Sequence, residues 1–119
     1  MRWISFNWTL RPLLLGEKTV TRRRWKDAYA ARFKKGDLVE AYDRQPRFGG
    51  KRVALLRLTR DPYKESSADI PPSDWFEEGM HVLEAEGEEL DGVTPGVFWL
   101  RWLSEPEDLW VIRFTVVGN

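Results

Sequence analysis

The chain has 119 residues, 42% of them hydrophobic and 13% aromatic with seven Trp, enough apolar side chain to enclose a core; 32% are charged, and the length suits one compact domain over residues 1–119. With no Cys and a single His81, a disulfide framework, a thiolate-held metal or a multi-histidine centre is excluded, so neither a metal nor a stored cofactor is expected. The formal net charge is zero, which excludes a globally basic nucleic-acid binder.

That zero is divided along the chain. Glu17 to Lys35 contains eight basic residues against Glu17 and Asp27, whereas Asp61 to Gly92 contains eleven acidic residues against Lys64 alone. Either the basic segment presents a face to a polyanion, or the two segments pair with each other in the fold. Met1-Arg2-Trp3-Ile4-Ser5 has no apolar signal core, and no stretch approaches the ~20 apolar residues of a membrane span, so the expected location is the cytoplasm with no membrane contact.

Trp3 to Phe6 reads as a short apolar strand. Thr9 offers an N-cap for a helix through Leu13, Leu14 and Leu15, with Pro12 in the first turn, where a missing N–H costs little, and Gly16 at the stop. Lys18 to Arg23, with β-branched Thr19, Val20 and Thr21 in succession, favours an extended strand. Asp27 can cap a helix over Ala28 to Phe33, Lys34 and Lys35 suit the negative end of its dipole, and Gly36 ends it.

Leu38 to Tyr42 and Val53 to Arg60 flank a Gly49-Gly50 turn, and the alternation of Ala54, Leu56 and Leu58 supports pairing of the two as a hairpin. Pro71-Pro72-Ser73 starts a helical turn over Asp74 to Glu78, closed by Gly79. Thr94 caps, and Pro95 opens, a helix over Val97 to Leu103. Leu109 to Val117 alternates through Trp110, Ile112, Phe114 and Val116 and reads as the terminal strand. Five to six strands with short flanking helices imply an α+β domain whose sheet curls into a small barrel.

Arg22-Arg23-Arg24-Trp25 is the best nucleic-acid candidate, since guanidinium groups grip phosphate bidentately and an indole stacks on an unpaired base. Strand alternation splits the three arginines between faces, with Arg23 expected to share a face with Thr19 and Thr21. Trp75 either stacks a base or packs in the core. Trp110 is expected in the core, Trp99 and Trp102 are expected to pack the late helix down, and His81 is expected in a loop.

Three segments carry a family resemblance. Gly16-x-Lys18-Thr19-x-Thr21-x-Arg23, Phe33-Lys34-x-Gly36-Asp37-x-Val39 and Trp110-Val111-Ile112-Arg113-Phe114 resemble, in order and spacing, the signature, following turn and closing strand of the ASCH domain family. The resemblance implies a PUA-like β-barrel with a cleft and a link to RNA or nucleoside handling. Small bacterial members remove the acetyl group from N4-acetylcytidine without a metal, and others are described as ribonucleases. Carried over, the amidohydrolase groups fall on Lys18, Thr21 and Glu78, with Glu77 as the alternative acid. A Thr hydroxyl needs a base to attack an amide, a lysine of lowered pKa can serve, and a carboxylic acid can protonate the leaving amine. Lys18 and Thr21 are an odd number of residues apart, so regular strand geometry would separate them and a local bend is required. A purely RNA-binding or adaptor module is the non-enzymatic alternative.

Overall fold

Short runs of β-branched and aromatic residues, separated by Gly, Pro and Asp, give a chain of brief elements; the structure, a computed structural model, describes residues 1–118. The strands are β1 (Trp3–Ser5), β2 (Val20–Arg23), β3 (Leu38–Tyr42), β4 (Arg52–Leu58), β5 (Tyr63–Ser66) and β6 (Asp108–Gly118). The helices are α1 (Leu10–Leu14), α2 (Asp27–Ala30), α3 (Asp74–Glu77), α4 (Met80–Ala85) and α5 (Pro95–Ser104). Among the described residues no helix is long and apolar enough to cross a membrane.

The strands form one mixed sheet in the order β1-β3-β4-β6-β2, with β5 also paired to β6. β1 runs parallel to β3, with Trp3 opposite Glu40 and Ser5 opposite Tyr42. β3 and β4 pair antiparallel, as their alternation and the Gly49-Gly50 turn predict. The long β6 organises the rest: Phe114 to Gly118 pair with β4, while Val111 lies opposite Tyr63 of β5 and also opposite Arg22 of β2. One residue with two cross-strand partners has them on opposite edges, so β2 is the last strand. The sheet curls into a half-barrel whose strand order ends in the free edges of β1 and β2, with β5 as a short side strand on β6.

The concave side holds the main core, Ile4, Phe6, Leu13, Phe33, Val39, Leu56, Leu58, Ile112 and Phe114 among it. Each such side chain contributes on the order of 1.5–3 kcal/mol by leaving water. A second cluster of Met80, Leu83 and Leu90, with Trp75, Phe98 and Trp99 against it, holds α3, α4 and α5 together.

The elements depart from expectation in definable places. The Lys18 to Arg23 strand begins only at Val20. α1 ends at Leu14, and Thr9 makes no side-chain capping bond. α2 stops at Ala30 rather than Phe33, because the Phe33 N–H bonds back to the Ala30 carbonyl in a tighter turn that swings Phe33 into the core. β5 has no apolar alternation and is a strand through its pairing with β6. α4 follows Gly79 directly, where the sequence suggests only an end. Trp110 is half-buried, packed on the core edge with its indole N–H donated to Asp27 at 3.2 Å.

Candidate functional site

The site begins where α1 ends. Gly16 takes φ +75°, the Glu17 N–H turns back to the Pro12 carbonyl at 2.9 Å, and the Thr19 N–H bonds the Glu77 carbonyl at 2.8 Å. Lys18 is thus held between two fixed points, ahead of β2 and outside its alternation. Its side chain is 1% exposed, and its amine donates to the Glu78 carboxylate at 2.7 Å and the Glu78 carbonyl at 3.1 Å.

Glu78 closes α3 and is 2% exposed. Gly79 follows at φ +87°, and a Cβ there would run into the Pro12 ring. Glycine is required both for the left-handed turn and for the approach of α1 to α3 that brings Lys18 to Glu78.

Glu78 is shared. Its second carboxylate oxygen accepts from Arg22 at 2.7 Å, and Arg22 also pairs with Asp74 and, at 3.2 Å, with Glu65. Asp74 accepts in turn from Arg113 at 2.8 Å, and the Arg113 Nε–H is donated to the Tyr63 hydroxyl at 3.0 Å. Acidic α3 therefore packs on the outer side of β2 and β6 through charge, and the two oppositely charged segments pair here. Burial alone would lower the proton affinity of Arg22, but Glu78 and Asp74 outweigh it and the net shift is upward. Lys18 goes the other way: burial lowers its pKa and Glu78 only partly offsets it. Arg22 already neutralises Glu78, so a second cation at the same carboxylate gains less than its desolvation costs.

A cavity of about 670 Å³ lies at the gap between the edges of β1 and β2, bounded by Ser5 at the end of β1, by Asn7 just after it and by Thr21, Arg22 and Arg23 of β2, with Lys18 and Glu78 in its wall. The register explains how one cavity reaches both faces of a strand. Thr21 and Arg23 lie opposite Ile112 and Trp110, on the core side, while Arg22 lies opposite Val111, on the helix side with Lys18 and Glu78. A cavity at the free edge of β2 meets both. Thr21 accepts from the Arg23 Nε–H at 3.1 Å; no direct hydrogen bond joins it to Lys18.

Other candidates are placed as follows. Glu78, not Glu77, faces the cavity; Glu77 accepts from the Thr19 hydroxyl, which takes Thr19 away from the Thr21 and Arg23 side because it precedes β2. Arg24 lines the cavity but is bridged to Glu107 at 2.5 and 2.9 Å. Trp25 stacks on Phe33 at 4.6 Å and Trp75 stands edge-on to Trp99 at 5.5 Å, both away from the cavity. The aromatic lining is instead Trp8 and Phe48, 49% and 64% exposed, with Phe98 and Trp102. Arg44 also lines it. The sequence signals Trp8 and Phe48 only as lone aromatics in polar turns, and isolated surface aromatics carry no meaning by themselves.

The fold and site define a small α+β half-barrel with an ion network opening on an edge cavity. A solved structure shares that fold: protein EF3133 of Enterococcus faecalis V583, assigned to the DUF984 family, with a TM-score of 0.58 and 17% identity over 94% of this chain and 71% of that one. No family model and no curated protein matches the sequence.

Proposed function

We propose that this is an ASCH-family, PUA-like protein whose edge cavity binds a cytidine-type nucleoside or an unpaired RNA base, and that it hydrolyses an N4-acyl amide there. The observation that carries the reading is the buried Lys18–Glu78 pair in the wall of a cavity also lined by Thr21. A volume of about 670 Å³ is within the ordinary range for small-ligand sites, and Trp8, Phe48, Phe98 and Trp102 offer faces for a pyrimidine.

The chemistry needs no metal. With its pKa lowered by burial, Lys18 holds a neutral fraction whose two N–H bonds are taken by Glu78 oxygens, leaving the nitrogen lone pair free. Thr21 accepts its hydrogen bond from Arg23, so its own proton is free to leave. Through an intervening water, Lys18 takes that proton as Thr21 Oγ1 attacks the acyl carbon. The proton, held in the 2.7 Å Lys18–Glu78 bond, passes to the cytosine nitrogen as the C–N bond breaks. Water then hydrolyses the acyl-threonine ester, releasing the acid and regenerating Thr21.

The test is release of cytidine from N4-acetylcytidine, compared with Lys18→Ala and Thr21→Ala. The expected result is turnover in the wild type, a loss of at least 100-fold in both variants, and an acetyl adduct on Thr21 trapped by mass spectrometry. If N4-acetylcytidine and a mixed RNA both stay intact while labelled RNA binds, the hydrolytic reading is wrong and the non-catalytic RNA-binding module stands. That second reading is favoured by the exposure of Trp8 and Phe48 beside Arg24 and Arg44. Cleavage of the RNA itself would point to a ribonuclease.

A further inference from the structure

The cations around the cavity are unequally satisfied. Lys18 and Arg22 are tied to Glu78 and Asp74, and Arg24 to Glu107. Arg23 has no carboxylate partner among the described residues. Of the five N–H bonds of its guanidinium, the one on Nε is given to Thr21 at 3.1 Å, and the other four meet no acceptor among the described residues. Its carbon sits 5.1 Å from the centroid of the Phe6 ring, which supports a cation on an apolar wall without neutralising it. Burial pushes its pKa down to about 10, so the charge persists at neutral pH. A half-buried guanidinium with its terminal fork unpaired, in the wall of an open cavity, is placed to receive an anion. Arg44, at the rim of the same cavity, also has no carboxylate partner among the described residues, and it is exposed.

We propose that the natural ligand carries a single phosphate and that Arg23 receives it, with Arg44 closing from the rim, so that the cavity is a nucleotide site rather than a site for a neutral nucleoside. This rests on the nucleoside-binding reading above and deepens it. A phosphate presents oxygens at the spacing that the two terminal nitrogens of an arginine fork match, which a lysine cannot reproduce. The flank argues for one phosphate rather than a chain of them. Asp91 lines the cavity with no carboxylate-binding partner of its own among the described ion pairs, and its charge opposes a longer polyanion running past it.

Fluorescence titration, with Trp8 and Trp102 in the cavity wall as reporters, compares cytidine, cytidine 5′-monophosphate, a cytidine decanucleotide and inorganic phosphate on wild type, Arg23→Gln and Arg23→Lys. Near-ultraviolet circular dichroism checks that the variants are folded. The expected result is a monophosphate bound at least about tenfold more tightly than cytidine, a preference abolished in Arg23→Gln and only partly kept in Arg23→Lys. Equal affinity for cytidine and its monophosphate overturns the proposal, as does a preference that survives Arg23→Gln. A decanucleotide bound far more tightly than the monophosphate overturns the single-phosphate assignment. Inorganic phosphate separates the two readings. If neither cytidine nor the monophosphate binds, the nucleoside reading falls. The anion site then stands if phosphate raises the melting temperature of wild type and not of Arg23→Gln, and falls if phosphate raises neither.

Discussion

Lys18 is the residue at which sequence and structure meet most sharply. The odd spacing to Thr21 requires a bend to bring the two together; the three residues between Gly16 and Val20, pinned at Glu17 and Thr19 by backbone bonds to Pro12 and Glu77, do leave the strand, but Thr21 stays on the core side of β2 while Lys18 turns to the helix side and bonds Glu78, not Thr21. Its protonation is linked to folding. The folded pKa lies below the ordinary lysine value of 10.5, so between those two values the unfolded chain holds a proton that the native state has released. Stability from this group therefore rises with pH across that window. The free energy of unfolding of wild type, relative to Lys18→Met, is expected to climb by up to about 1.4 kcal/mol per pH unit toward pH 10.5 and then level. A flat or falling difference in urea titrations over that range shows that Lys18 stays protonated in the fold, and the base role goes with it. The partners of Lys18 were half legible: the resemblance pointed to a glutamate at 77 or 78, but the choice depends on which way the end of α3 turns, and that is settled by a glycine sixty-one residues downstream of Lys18 meeting a proline six residues upstream of it.

That contact belongs to the scale of elements. α3 and α4 are short, four and six residues, and cannot hold themselves in place by helix propensity alone. They are positioned by the Met80, Leu83 and Leu90 cluster and by the closeness of Gly79 to Pro12. In Gly79→Ala the new methyl group meets the Pro12 ring, and an L residue is forced to φ +87°. The expected cost is more than about 2 kcal/mol, from backbone strain together with overpacking. Since Glu78 is the adjoining residue, activity toward N4-acetylcytidine and ligand affinity fall with it. Chemical denaturation reads the first effect and turnover the second; a variant as stable as wild type would mean that α1 and α3 separate freely, against the packing described. The elements that announced themselves in the sequence were those with internal periodicity: β3, β4, β6 and α5 with its Thr94 cap and Pro95. β5, which reads Tyr-Lys-Glu-Ser, is a strand only because β6 lies beside it, and no local pattern reveals such a partner.

Across the whole molecule, the zero net charge hides a buried arrangement of opposite charges that joins the helices to the outer side of the sheet. The sequence raised this pairing as one of two options but could not choose, because which carboxylates reach Arg22 depends on α3 lying across β2 and β6. Two kinds of ion pair result. Arg24–Glu107, Arg11–Glu86 and Lys64–Asp27 are solvated, and salt screens them. Asp74 with Arg22 and Arg113 is buried, with Asp74 only 2% exposed, and salt reaches it poorly. Burial alone would raise the Asp74 pKa, but the bonds from Arg113 and Arg22 outweigh it and hold it below the ordinary value of 3.8. Its stabilisation is thus present above that value and lost as pH falls through the lower folded one. Asp74→Asn leaves two guanidinium groups facing a neutral amide and is expected to cost about 3–5 kcal/mol at pH 7. That gap should persist in 1 M NaCl and narrow below pH 3.8, where wild type begins to bind the proton that the variant cannot. Urea titrations at two salt concentrations and a series of acid pH values decide it. A gap removed by salt would place Asp74 among the solvated pairs, and a gap unchanged down to pH 2 would show that the carboxylate does not titrate with unfolding.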